Sequence, residues 1–185
     1  MKDERIILGI DPGTNILGFG IVLIDSVSKP HYVDMGVLDL RRMDSPYEKL
    51  EVISEKVGAL CDLHHPDDLA VESPFYGRNA QVMFKLGRAQ GAAITAAWSR
   101  GVKVFEYAPR KAKMAVCGNG AASKEQVCLM VQRTLGIKIE NEYMDATDAL
   151  ALAMCHYYQL TNPLSSTKAS TSWEKFILAN PDRVK

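Results

Sequence analysis

Two short hydrophobic runs in this chain each end on a carboxylate: residues 6–10, Ile-Ile-Leu-Gly-Ile, lead into Asp11, and Leu69, Ala70 and Val71 lead into Glu72. Each run reads as a buried strand. A carboxylate at the tip of such a strand adds nothing to the core and must be compensated where it sits. The problem recurs at Asp145-Ala-Thr-Asp148, where two acids at i and i+3 project from one side of an Ala/Leu-rich helix. Taken singly, Asp145 fits a helix cap, Glu72 a salt-bridged strand end and Asp11 a turn-former before Pro12. Asp148 fits the cap reading poorly, because it sits among Ala and Leu residues that should be buried.

The surrounding pattern predicts an α/β domain. Strands are expected at residues 5–10, 17–25 and 33–40, joined by short turns into an antiparallel meander. Leu50, Ile53, Val57 and Leu60 recur on a helical period, so residues 46–63 form an amphipathic helix opened by Ser45 and Pro46. A short strand over 67–72, a long helix over 79–100, a strand over 102–105 and a short basic helix from Pro109 follow. Ser123 and Gln126 have capping-box spacing at the head of a helix reaching Leu135, and the last helix covers 145–160. This order predicts a central mixed five-stranded sheet flanked by helices. Residues 1–160 fit one domain. Residues 161–185 begin rich in Ser, Thr, Asn and Pro and read as a partly mobile C-terminal tail, with a docking turn over 173–178.

Composition excludes several classes. No apolar run approaches the ~20 residues of a membrane helix, and the acidic, strand-leading N-terminus does not resemble a signal segment. Cys61, Cys117, Cys128 and Cys155 lack metal-ligand spacing and read as buried thiols of a reducing compartment, so a cytoplasmic location is expected. Net charge is zero, yet Tyr76 to Lys138 holds eleven Lys/Arg against Glu106 and Glu125, or +9, which leaves −9 elsewhere. Ordinary solvated helix faces account for any one of these cations; an asymmetry of this size predicts a polyanion surface.

Four carboxylates gathered at one place repel unless cations lie between them. Mg²⁺ prefers carboxylate oxygen and keeps its waters, and two such ions about 4 Å apart can hold a phosphodiester for hydrolysis. No His, Ser or Cys nucleophile competes: His64 and His65 fall in a helix–strand turn, and His31 and His156 read as isolated.

The segments around Asp11-Pro-Gly-Thr, Val71-Glu72-Ser-Pro-Phe75, Lys85-Leu-Gly-Arg88-Ala-Gln-Gly91, Val104 to Pro109 and Asp145-Ala-Thr-Asp148 together resemble the RuvC family of Holliday junction resolvases, in unbroken order over about residues 5–158. The resemblance implies an RNase H-like fold, a homodimer and paired symmetrical nicking of four-way junction DNA in recombination and repair. It also implies Asp11, Glu72, Asp145 and Asp148 as catalytic metal ligands for two Mg²⁺ ions, with Mn²⁺ as a substitute. Phe75 matches an aromatic residue near the junction centre, where it could stack on an unpaired base. Lys113 and Lys124 match basic residues near the scissile phosphate, and Arg78, Lys85, Arg88, Arg110 and Lys111 are candidates for DNA-backbone contacts. The RuvA and RuvB branch-migration proteins are the partners implied. Pro74 and Tyr76 depart from the better-known pattern, which leaves the cleavage sequence open.

Three other readings compete. The Gly-rich N-terminal signature also resembles the phosphate loop of actin-like and sugar-kinase ATPases, which need two such domains and an adenosine site. An RNase H-like nuclease without junction specificity is nearer, and a non-catalytic junction-binding module would normally have lost a carboxylate.

Overall fold

Alternation along the central strand decides which side of the sheet each residue serves. The computed structural model describes residues 4–73, 79–139 and 144–162. Within them run β1 (Arg5–Asp11), β2 (Ile16–Ile24), β3 (Pro30–Asp39), α1 (Pro46–His64), β4 (Asp68–Glu72), α2 (Ala80–Trp98), β5 (Lys103–Tyr107), α3 (Pro109–Cys117), α4 (Lys124–Leu135) and α5 (Met144–Thr161). The sheet has the order β3-β2-β1-β4-β5. β1 pairs antiparallel with β2 and parallel with β4, so the sheet changes sense at its centre. β3 continues the antiparallel half and β5 the parallel half.

Leu8, Ile10, Leu17, Phe19, Leu69 and Val71 face α1 and α2 in one core, while Ile7, Val22, Ile24 and Ala70 face α3, α4 and α5 in a second. Because side chains alternate, Asp11 falls on the same face as Ile7, and Glu72 on the same face as Ala70. Both acids therefore point toward the α5 side. On that side the strands carry Gly9, Gly18 and Gly20; a Cβ at Gly9 or Gly18 would meet the main chain of Ala149 or Asp145, and one at Gly20 would meet the Leu150 side chain first. Backbone thus lies on backbone, and α5 rests directly on β1 and β2.

The sequence reading holds closely for element type and order; bounds shift by a residue or two elsewhere, and among the strands the largest differences are at the start of β3 and the end of β5. β3 starts at Pro30 rather than residue 33, because Pro30 pairs with Ile24 on an edge strand, where a missing N–H is tolerated. β5 continues to Tyr107 rather than stopping at residue 105, because its register places Tyr107 beside Glu72. Ser45 caps α1, and the Ser123/Gln126 capping box closes reciprocally at the head of α4. The proposed docking turn and the tail from residue 163 onward lie outside the described residues. No described helix is long and apolar enough to cross a membrane.

Candidate active site

Three elements bring the four predicted acids to one edge of the sheet. β1 ends on Asp11, the adjacent β4 ends on Glu72, and the first turn of α5 carries Asp145 and Asp148. The approach of α5 to Gly18 seats Asp145 over the start of β2, directly across the ladder from Asp11, whose register partner is Gly18. Asp11, Glu72 and Asp145 line a cleft of about 600 Å³, closed on its other side by α2 residues such as Val82, Met83 and Leu86.

Electrostatics shows that the acids act on one another. Burial, then the charges of Glu72 and Asp148, push the Asp11 carboxyl up to about 7, while Lys124 opposes the rise. Burial and Asp148 likewise raise Glu72, against Lys124 and Lys113. Like charges in a half-buried cleft penalise ionisation in this way until a cation compensates them. Lys124 supplies part of that compensation: its Nζ lies 2.9 Å from Asp148 Oδ2 and 3.3 Å from Asp145 Oδ1. Among the described residues no group of three or more His, Cys, Asp or Glu is gathered as a ready metal-holding set. The donor set nevertheless fits a hard divalent cation, being all carboxylate oxygen on two strand ends and one helix turn.

The other predicted residues are distributed as follows. Lys113 Nζ donates to the carbonyl of Ala122, 2.8 Å away, and its charge reaches Glu72. Lys85 and Arg88 line a smaller cavity of about 190 Å³ on the far side of the β1–β2 turn, together with Lys49. Lys111 lies 5.1 Å above the Tyr107 ring, and Arg110 packs across Gly120. Phe75 and Arg78 lie outside the described residues.

Several contributors escaped the sequence reading. Gln90, buried in α2, donates to the carbonyl of Glu72 at 3.0 Å and so holds the main chain of a predicted ligand. His156 is not isolated, as the sequence suggested, but fully buried between Tyr107 and Asp68. Its Nδ1 is 2.6 Å from the Tyr107 hydroxyl and its Nε2 is 3.1 Å from Asp68 Oδ2. Arg5 completes the row by a bidentate contact with Asp68, including Nη2 to Oδ1 at 2.9 Å. Burial alone would raise the Asp68 carboxyl, but hydrogen bonds from His156 and Arg5 hold it below its usual range. Burial pushes the Tyr107 hydroxyl up to about 12, so it stays protonated, and an ionised Asp68 can only accept. Nε2–H therefore donates to Asp68, while Nδ1 shares a hydrogen bond with the Tyr107 hydroxyl. Separately, the main-chain carbonyl of Tyr107 accepts from the N–H of Ser73 at 2.9 Å, one residue past Glu72. His31 also has a partner, Asp25 Oδ2 at 2.8 Å on an exposed turn. Apart from His31–Asp25, these contacts join residues far apart in the chain, so no local spacing announces them.

The family model described as crossover junction endodeoxyribonuclease RuvC matches residues 7–156. A protein of that description from Bacteroides fragilis is 50% identical over 184 residues, covering 98% of this chain and 97% of the relative. One from Christiangramia forsetii is 46% identical, covering 100% and 95%. Among solved structures, Thermus thermophilus RuvC in complex with Holliday junction substrate superposes with a TM-score of 0.77 at 33% identity, covering 84% of this chain and 94% of that one. The yeast mitochondrial Holliday junction resolvase Ydc2, 12% identical with a TM-score of 0.62 and covering 82% and 77%, shares the fold. That fold is RNase H-like.

Proposed function

The chain belongs to the RuvC family of crossover junction endodeoxyribonucleases, and we propose on that premise that it resolves four-way DNA junctions by metal-dependent phosphodiester hydrolysis at the carboxylate edge of its sheet. The observation that carries this reading is that Asp11 feels the charges of Glu72, Asp148 and Asp145, acids brought from three separate elements, with Asp11, Glu72 and Asp145 lining one cleft.

In this proposal the four acids are the catalytic metal ligands. Their all-oxygen chemistry suits Mg²⁺, two ions per site, with Mn²⁺ as a substitute. Divalent metal held by Asp11, Glu72, Asp145 and Asp148 would lower the pKa of an attacking water and neutralise charge on the leaving oxygen. The chain's own residues do the remaining work. Asp11 and Glu72 are held by a central β-ladder, so their spacing is set by strand register rather than by flexible loops. Gln90 and the Ser73–Tyr107 contact fix the main chain at Glu72. Lys113 and Lys124 are assigned to the scissile phosphate, Phe75 to stacking at the junction centre, and Arg78, Lys85, Arg88, Arg110 and Lys111 to the phosphate backbone. A homodimer acting in the cytoplasm, with RuvA and RuvB as partners, completes the proposal. It accounts for paired symmetrical nicks, since each chain carries one site.

Cleavage of four-way, Y-shaped and linear duplex DNA, with and without Mg²⁺, tests it. Paired nicks confined to the four-way substrate and dependent on metal are expected. Equal cutting of linear duplex would reassign the chain as a general nuclease, and metal-independent binding without cutting would make it a junction-binding module.

A further inference from the structure

Lys124 is the first residue of α4, and its backbone is fixed by the Ser123/Gln126 capping box immediately before it. Its side chain is 53% exposed, yet the ammonium reaches across to α5 and bridges Asp145 and Asp148. A single cation touching two carboxylates one helical turn apart takes up the oxygen lone pairs that a divalent metal would need. The influence extends further, because Lys124 is also the cation that opposes the raised pKa of both Asp11 and Glu72. One ammonium therefore partly neutralises all four acids of the metal-free site.

We propose that Lys124 is the resident counter-ion of this site: it competes with divalent metal for Asp145 and Asp148, and so sets the metal concentration at which the site loads. This rests on reading the four acids as metal ligands. Lysine suits the task because its flexible stem lets the charge swing aside, and half-exposure lets water receive it. A ligand that binds only the open form is weakened by the open fraction; a site open one-tenth of the time binds about tenfold more weakly. Displacement also imposes an order. The ammonium becomes free for a phosphate anion only after metal has taken its carboxylates, so DNA meets a free Lys124 beside a loaded site and a closed ion pair beside an empty one.

The test needs no DNA. Mn²⁺ binding to the free protein, followed by electron paramagnetic resonance, is compared among wild type, Lys124→Gln and Lys124→Arg. Removing the competitor is expected to tighten Mn²⁺ binding about tenfold in Lys124→Gln, even though junction cleavage falls, whereas Lys124→Arg keeps the charge and tracks wild type. Thermal melting of the same samples should show a lower midpoint for metal-free Lys124→Gln and a larger rise on adding Mn²⁺ than wild type shows. Unchanged or weaker Mn²⁺ affinity in Lys124→Gln overturns the counter-ion role. Absence of Mn²⁺ binding in every chain instead overturns the metal-ligand reading on which it rests.

Discussion

Asp11 is the acid most disfavoured in its charged form, with a carboxyl pushed up to about 7 by burial and by Glu72 and Asp148. In the unfolded chain the same group titrates near 4. Between those values the folded protein holds the proton and the unfolded chain does not. Stability from this group is therefore fully present below about pH 4 and is lost as pH rises through about 7. Without metal, Asp11→Asn should be the more stable protein at pH 8, by up to roughly 4 kcal/mol, with the gap closing toward pH 4; urea denaturation at both pH values measures it. Saturating Mg²⁺ should shrink the gap at pH 8, and the variant should bind a four-way junction without nicking it. Wild-type protein that gains stability from pH 5 to 8 without metal would contradict the protonated Asp11. At this scale the acids were legible because each interrupts a hydrophobic pattern. Gln90 and the Arg5–Asp68–His156–Tyr107 row were not, because a buried polar side chain is explained only by its partner, and those partners lie up to 88 residues away.

The element that matters most to the site is α5, and glycine decides where it lies. A Cβ on Gly18 would fall 2.3 Å from the Asp145 carbonyl oxygen, and one on Gly9 would fall 2.0 Å from that of Ala149. Neither obstacle is the end of a flexible side chain, so relief requires the helix to move. Gly18→Ala acts at the very turn that bears Asp145 and Asp148. It should cost about 1–3 kcal/mol of stability, but on the order of 10²-fold in cleavage rate, because displaced carboxylates lose their common geometry. Single-turnover cleavage beside a melting curve checks this, and a rate loss no larger than the loss of folded protein would refute it. Helix periods, capping residues and the strand–helix order could all be read from the sequence, since they are local. The ends of β3 and β5 could not, because a strand stops where its neighbour stops offering hydrogen bonds. The closeness of α5 was equally hidden: a glycine in a strand states that something is near without saying what.

For the molecule as a whole, opposite charges are segregated rather than mixed. The +9 stretch from Tyr76 to Lys138 includes α2 on one face of the sheet, α3 and α4 on the other, and the edge strand β5. Lys113 and Lys124 stand at the boundary between the two signs, beside Glu72 and Asp148. One chain supplies one such site, whereas paired nicks need two. Sedimentation at micromolar concentration should therefore show a species of twice the 20.4 kDa chain mass; a monomer alone would contradict the proposed symmetry. Fold class was legible at this level from element order, and the resemblance implied a homodimer, but which surface pairs two copies was not legible, because such a surface carries no period. The single rod of α5 also separates the reacting end from the chain's onward path. Its 18 residues span about 27 Å, so a dye or tether attached at Thr161 marks the molecule at a distance that leaves the cleft open for single-molecule observation of junction resolution.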